Sequence, residues 1–218
     1  FFSSSIMKFL SFLLCTTATL AAPTKPTFPG QWSSQLGESA HAVFDGPGSR
    51  IAVSGLPTQY PVQISNYKDG PNGRVYFLTL DSAGNRFCRL WCEVPYPSIY
   101  EDPLSLNSIG YNKDAKFLRN ETLRGIPSSI WDWEQKAGPI PLEETFLWVD
   151  ESGPSPVRIV HDVFVQHRGN ETIDFVDFTP LTQVPESAFD LGDKTACDDQ
   201  KQPAAQCSRS ELFSKKLR

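Results

Sequence analysis

Short apolar runs separated by breaks rich in glycine and proline constrain the fold of this chain more than any other feature of its sequence. The breaks include DGPG, SGLP, KDGPNG and DSAGN, and the 218 residues contain 18 Pro and 14 Gly. The runs between the breaks have the length of strands. Within one of them Val75, Phe77 and Thr79 alternate with Tyr76 and Leu78, as residues do on the two faces of a sheet. The pattern therefore predicts many short strands joined by turns.

The order of these runs predicts how the strands pair. No helical segment long enough for a parallel crossover separates one run from the next, so we expect an all-β fold with minor α content. Its curved antiparallel sheets would form a half-barrel or a sandwich. We interpret residues 23–37 as an irregular lead-in, residues 95–114 as a lid or a short helix, and residues 186–191 and 208–216 as the helical candidates of the tail. The predicted strands are residues 40–44, 50–53, 62–67, 74–80, 86–94, 115–123, 129–134, 144–149, 157–167 and 172–178.

The first 22 residues have the pattern of a segment that is removed. Residues 1–6 precede Met7, and MKFLSFLLCTTATLAAP then combines one positive charge, an apolar run and small residues. This is the pattern of a secretory signal peptide, and Thr16 and Thr17 interrupt a run that is too short for a membrane span. We therefore expect residues 1–22 to be non-native residues plus a signal peptide, and residues 23–218 to form one secreted domain without a transmembrane segment.

The charge of the chain argues against nucleic acid as a partner. There are 20 Lys and Arg against 25 Asp and Glu, which gives a net charge of −5, and no stretch is rich in Lys or Arg. Proteins that bind nucleic acid normally carry a basic patch.

Four cysteines remain after the signal peptide: Cys88, Cys92, Cys197 and Cys207. In an oxidising compartment an even number predicts disulfides, here two, whereas the spacings fit a zinc site poorly. If residues 86–94 are a strand, Cys88 and Cys92 point to the same face about 13 Å apart, which is too far to bridge. Each would then pair with one of the two C-terminal cysteines. Two sequons, at Asn120 and Asn170, predict N-glycosylation on solvent-facing turns or strand ends.

No strong catalytic motif occurs. The histidines His41, His161 and His167 are the near-neutral titrating groups, but no spacing joins one of them to a nucleophile or a metal. The acidic clusters lack the regular ligand spacing of a calcium loop, so they are interpreted first as solvated turns. We therefore predict that the chain is not an enzyme and needs no cofactor, with calcium as the one candidate ion.

Large aromatic side chains recur at a spacing of two. Trp131 and Trp133 form one such pair and Phe146 and Trp148 another, and on strands each pair faces one way. On facing sheets they would form one apolar stripe with Phe117. Such a stripe is either core or the concave wall of a site for an apolar ligand.

The chain resembles the ependymin-related proteins, whose fold is similar to the bacterial LolA-like half-barrel. The resemblance rests on YKDG-x-x-G-RVYFLTLDSAGNRFC, on AKFLRNETLRGIPSSIWDW and on FVDFTPLTQVPESAFDLGDKTAC, in that order along about two thirds of the chain. It implies a secreted or lysosomal (vacuolar) glycoprotein that binds a hydrophobic or lipid ligand between curved antiparallel sheets. It also implies calcium binding, cell-matrix association and homodimers. By position, Cys88 or Cys92 resembles the family's hairpin cysteine, and Cys197 and Cys207 its C-terminal pair. The family's cysteines near the mature N-terminus and after the tryptophan strand are absent here.

These observations favour a secreted glycoprotein that binds a hydrophobic or lipid ligand without catalysis, with Phe117, Trp131, Trp133, Phe146 and Trp148 as ligand-binding residues. A calcium-associated protein of cell-matrix adhesion is the alternative. A secreted hydrolase is the second alternative, and it would require a pocket that brings a histidine within reach of a hydroxyl or thiol and a carboxylate.

Overall fold

A computed structural model describes residues 23–70, 72–94, 98–137, 139–164, 169–193, 195–198 and 200–203. These residues form eleven strands, two short helices and two 3-10 turns. The helices are α1 (Ile109–Asp114) and α2 (Thr195–Asp198), and the 3-10 turns are Ile99–Glu101 and Glu186–Phe189. The strands are β1 (Gln31–Leu36), β2 (Ala40–Asp45), β3 (Arg50–Ser54), β4 (Val62–Asn66), β5 (Arg74–Leu80), β6 (Arg86–Glu93), β7 (Lys116–Leu123), β8 (Ile126–Ala137), β9 (Ile140–Asp150), β10 (Pro156–Val163) and β11 (Gly169–Pro180).

All eleven strands belong to one antiparallel sheet in the order β6-β5-β4-β3-β2-β1-β11-β10-β9-β8-β7. The prediction of an antiparallel all-β fold with little helix is confirmed. In a flat sheet β3 and β8 would lie about 29 Å apart, since neighbouring strands are about 4.8 Å apart. Yet Ile51 and Val53 of β3 share one apolar cluster with Trp131 and Trp133 of β8. The sheet therefore curves around this cluster as an open half-barrel. We call the face that carries the cluster the concave face and the opposite face the convex face.

Strand β1 lies where the sequence predicts only an irregular lead-in, and that prediction is wrong for residues 31–36. Trp32, Ser34 and Leu36 alternate with less buried residues, and β1 pairs with both β2 and β11 at the centre of the sheet. The Ser34 hydroxyl donates to the Val176 carbonyl at 2.9 Å. Prolines before the strand and a glycine after it hide this short alternation in the sequence. In the fold, the face of β1 that carries Trp32, Ser34 and Leu36 is buried along its whole length.

Strand β11 joins the two halves of the sheet. Its first half pairs with β10 and its second half with β1, and the register shifts between Ser33 and Gln35 of β1. The shift lies opposite Asp177, which has a φ of +54°, a left-handed conformation that is uncommon outside glycine and is typical of a β-bulge. A bulge bends the strand that contains it, so this residue contributes to the curvature of the sheet.

A second bulge corrects the prediction that Cys88 and Cys92 share a face. The register of β5 with β6 shifts between Phe77 and Leu78, so that Cys92 lies opposite Val75 but Cys88 lies opposite Leu78. The extra residue sends the two cysteines to opposite faces of the sheet, because side chains alternate with a period of two.

One of the predicted disulfides is present on the convex side. Cys88 is bonded to Cys197 of α2, with a Cα–Cα distance of 5.4 Å. Cys92 is buried and also disulfide-bonded, whereas Cys207 lies outside the described residues. Residues 200–202 then run along the edge of β6, where Trp91 exchanges backbone hydrogen bonds with Gln200 and Gln202. Residues 200–202 thus cover part of this edge of the sheet.

The segment between β6 and β7 crosses the concave face. Its described part, residues 98–115, contains the first 3-10 turn and α1, which confirms the interpretation of this segment as containing a short helix. Ile99, Leu104, Leu106 and Tyr111 are buried in the same cluster as the sheet residues. Throughout the described part of the chain no helix is long and apolar enough to cross a membrane.

Candidate functional site

The predicted aromatic stripe is divided between the two faces of the sheet. Trp131 and Trp133 lie opposite Leu147 and Thr145, and all four side chains are buried on the concave face. Phe117 lies opposite Trp131 and contacts it edge-on, with ring centroids 5.8 Å apart. These aromatic residues come from neighbouring strands of one sheet, and the expectation of facing sheets is wrong.

Phe146 and Trp148 lie on the convex face, so the prediction that they share a wall with the other three residues is wrong. They are cross-strand partners of Asp132 and Ile130, which alternate with the two tryptophans along β8. The register of the β8-β9 hairpin decides this, since a shift by one residue would exchange the faces. The Trp148 indole donates to the Glu121 carboxylate at 2.6 Å, and this hydrogen bond lowers the pKa of Glu121.

Residues 98–115, which we call the lid, cover the tryptophan part of the concave face. The Ser108 hydroxyl caps the N-terminus of α1 by accepting from the Tyr111 amide at 3.1 Å. Helix α1 then presses directly on Trp133: a Cβ atom at Gly110 would lie 2.5 Å from the Trp133 Cδ1. The Tyr111 ring meets the Trp133 ring edge-on at 5.4 Å. A side chain at position 110 would not fit this close approach.

Residues 23–28, which we call the strap, hold the lid in place from outside. The Lys25 ammonium donates to the carbonyls of Tyr111 and Asn112, at 3.1 and 2.7 Å, near the C-terminus of α1. In return the Tyr111 hydroxyl donates to the Pro26 carbonyl at 2.7 Å. The Asn107 amide donates to the Phe28 carbonyl at 2.9 Å. Burial raises the pKa of Tyr111, so its phenol keeps the proton that it donates.

A histidine of the sheet contacts the lid. His161 of β10 is 5% exposed, and its Nδ1 lies 2.7 Å from Oε1 of Glu143 on β9. Its Nε2 lies 3.3 Å from the carbonyl oxygen of Pro103 in the lid. Both ring nitrogens thus face oxygen atoms, one on the sheet and one in the lid. Glu171, the buried neighbour of His161 on β11, adds a second carboxylate beside it.

The glutamate of this pair is ionised. Burial favours the neutral carboxyl, but the hydrogen bonds from His161 and Thr145 and the electrostatic interaction with His161 hold the pKa of Glu143 below its usual value. Thr145 and Glu143 approach the same ring nitrogen, at 3.1 and 2.7 Å, while the second nitrogen faces a carbonyl. The contacts required for the hydrolase alternative therefore exist. Because Thr145 and Glu143 share one ring nitrogen, the arrangement is not that of a base held between a nucleophile and an orienting acid.

Two concave spaces lie on this side of the sheet, one beneath the lid and one beside the strap. The first is a cavity of about 60 Å³ between the lid and strands β8 to β10, with Trp133, Ile159 and the His161 cluster in its wall. The second is an open groove of about 670 Å³ beside the strap. Phe117 and prolines of the strap and of the β9-β10 turn form its apolar side, and Asp150, Glu151 and Ser152 form its polar side. The groove has the volume of a typical ligand site, which is about 300–1,000 Å³.

Of the predicted glycosylation sites, one lines the groove and the other lies at the start of a strand. Asn120 is exposed and lines the groove, where it lies opposite Ser129. Asn170 lies opposite Asp162 at the start of β11. His41 is exposed on β2, and His167 lies outside the described residues. Within the described ranges no group of three or more His, Cys, Asp or Glu could hold a metal ion.

Sequence reasoning missed the strap, the His161–Glu143 pair and the groove. The pair is eighteen residues apart, and only the register of β9 with β10 brings the two side chains together. One signal was present in the sequence: Glu143 and Thr145 share a face of their strand, and a partly buried carboxylate requires a partner on that face.

Comparison with known proteins identifies similar structures but no family. No family model matches the chain, and neither does any curated protein. An uncharacterised conserved protein from Thermus thermophilus is 11% identical with a TM-score of 0.44, over 81% of this chain and 91% of that chain. LprF from Mycobacterium bovis is 12% identical with a TM-score of 0.35, over 71% and 87%. A LolA superfamily protein from Nitrosomonas europaea is 11% identical with a TM-score of 0.32, over 76% and 93%.

Proposed function

We propose that this protein binds a hydrophobic or lipid-like ligand on the concave face of its sheet and does not catalyse a reaction. The observation that carries the proposal is the groove of about 670 Å³, which has an apolar side at Phe117 and a polar side at residues 150–152. A groove of this kind suits an amphipathic molecule, since ligand sites combine apolar walls with a few polar groups that orient the ligand.

The cover of the concave face supports the same proposal. The Trp131 ring contacts Phe117 at the groove, and Trp133 lies under the lid two residues further along β8. The lid is held over these tryptophans by hydrogen bonds to the strap and by the His161–Glu143 pair, as well as by its own buried side chains. A ligand that enters from the groove gains apolar surface if the lid moves, because Trp131 and Trp133 then continue the wall that Phe117 begins.

The test uses two phenylalanines on opposite faces of the same half of the sheet. An apolar fluorescent probe and the lipid extracted from purified native protein measure binding. Phe117→Ala should lower probe affinity about tenfold or more, since burial of a large apolar side chain contributes about 1.5–3 kcal/mol. Phe146→Ala is the matched control, because Phe146 is on the convex face and should leave binding unchanged. No extracted lipid and no saturable probe binding in the unchanged protein would refute the proposal, and so would equal losses in the two variants.

We also propose that the protein is a secreted glycoprotein, with the lysosome or vacuole as another destination, and that it forms homodimers. Glycosylation at Asn120 would set a glycan at the rim of the groove. Peptide mass mapping of protein from a secreting host tests modification of Asn120 and Asn170, and sedimentation tests the dimer. The alternative of a calcium-associated adhesion protein predicts a melting temperature that rises with calcium, because a ligand of the folded state alone stabilises it.

A further inference from the structure

The cavity beneath the lid contains a polar group that nothing in the described chain satisfies. Ser105 is 2% exposed, lines the cavity, and its hydroxyl has no hydrogen-bond partner among the described residues. A buried hydroxyl without a partner destabilises the folded state, so such groups normally meet a ligand or an ordered water. The unsatisfied hydroxyl therefore indicates that the cavity has an occupant.

The charge of the wall indicates what kind of occupant it is. Glu101, Asp102 and Glu143 contribute three carboxylates and His161 an imidazole, and no Lys or Arg is among the described lining residues. Oε1 of Glu143 accepts from both His161 and Thr145, while Oε2 has no partner among the described residues. The wall of the cavity thus has a carboxylate oxygen and a hydroxyl that lack partners among the described residues, and its carboxylates are not balanced by Lys or Arg.

The apolar part of the wall restricts the size and shape of the occupant. Trp133 presents its indole ring to the cavity, with Ile159 and Ile109 as further lining residues. Aromatic faces attract organic cations, most strongly when the site is desolvated. The volume of about 60 Å³ is several times the roughly 10–15 Å³ that one water needs, so a short amine fits while a lipid tail does not.

We propose that this cavity binds a small organic ammonium group, which donates hydrogen bonds to Glu143 and Ser105 while its carbon atoms contact Trp133. The group belongs either to a free amine or to the amine head group of a lipid. The site is separate from the groove at Phe117 and stands independently of ligand binding there.

The experiment is calorimetric titration of the full protein with ethylammonium chloride at pH 7 and constant ionic strength, with 1-propanol as the neutral isostere. We expect saturable binding of ethylammonium at least tenfold tighter than that of propanol. Glu143→Gln should weaken it about tenfold or more, because hydrogen bonds to charged groups contribute about 1.5–3 kcal/mol. Glu144→Gln is the matched control, since Glu144 is the next residue along β9 and points to the convex face.

Ser105→Ala supplies a second variant if Glu143→Gln does not fold. It should weaken ethylammonium binding without lowering the melting temperature, because it removes a buried hydroxyl that has no protein partner among the described residues. Vesicles of phosphatidylcholine with and without phosphatidylethanolamine identify the source of the group. If the vesicles retain the protein only when they contain phosphatidylethanolamine and only when Glu143 is present, the ammonium group belongs to a lipid. If the protein binds ethylammonium but is not retained by the vesicles, the group belongs to a free amine. Equal affinity for propanol, no saturable binding of ethylammonium, or full affinity in both variants would overturn the proposal and leave a cavity that holds water only.

Discussion

Replacement of Gly110 by alanine tests the packing of the lid on the sheet. In an ordinary helix this change stabilises a protein by about 0.4–1 kcal/mol, mainly through the unfolded chain. Here the new Cβ would lie 2.5 Å from Cδ1 and 2.8 Å from Nε1 of Trp133, closer than such atoms approach in real structures. Trp133 is 8% exposed and packs against Tyr111, so it cannot move aside without disturbing the core.

We therefore expect Gly110→Ala to destabilise the protein, the reverse of the usual effect of this substitution in a helix. Overpacking of a core costs about 1–3 kcal/mol, which exceeds the gain and gives a net destabilisation of about 1–2 kcal/mol. Urea denaturation followed by tryptophan fluorescence measures it. Gly153→Ala is the control, because a Cβ at Gly153 in the β9-β10 turn meets nothing within 4 Å. If both Gly110→Ala and Gly153→Ala are as stable as the unchanged protein, then α1 does not press on Trp133 in solution and the account of the lid is wrong.

Three further predictions concern the disulfide, the His161–Glu143 pair and the glycan. Loss of the Cys88–Cys197 bond, by Cys88→Ala with Cys197→Ala, should lower the free energy of unfolding by about 4–5 kcal/mol, since it closes a loop of over 100 residues; unchanged urea midpoints would contradict this. The pKa of Glu143 is lower in the folded than in the unfolded protein, so its carboxylate stabilises the fold above the unfolded pKa, and this stabilisation is lost as the pH falls through the folded pKa. The melting temperature should therefore decline in acid less steeply in Glu143→Gln than in the unchanged protein. Asn120→Gln expressed in a secreting host should bind the apolar probe at least as fast as the glycosylated protein, because Asn120 lines the groove; slower binding would show that the glycan does not stand in the path.

The strand pattern of the sheet could be predicted because it depends on local chemistry. The β4-β5 and β5-β6 hairpins fall at KDGPNG and DSAGN, as their turn residues predict. Strand β1 was the exception, since the surrounding Pro and Gly concealed a short alternation in which Trp32 and Leu36 are the two apolar residues. The sequence thus predicts most of the residues that form strands, but not the residues with which they pair across the sheet.

The assignment of side chains to faces depended on register, which only the folded sheet provides. The β-bulge in β6 separates Cys88 from Cys92, and the β8-β9 register separates Phe146 and Trp148 from Trp131 and Trp133. One extra residue or a shift of one position reverses every side chain beyond it. Alternation within a single strand therefore predicts which residues share a face, but not which face of the molecule that is.

The sequence by itself determined that the chain makes short antiparallel strands with little helix, because turn chemistry and alternation act over a few residues. Only the tertiary structure decided that the strands form one curved sheet, that a lid held by a strap covers its tryptophans, and that Glu143, His161 and Ser105 meet around one cavity. Those groups are brought together by contacts between distant parts of the chain, and such contacts follow from packing against the whole core rather than from the preference of any one segment.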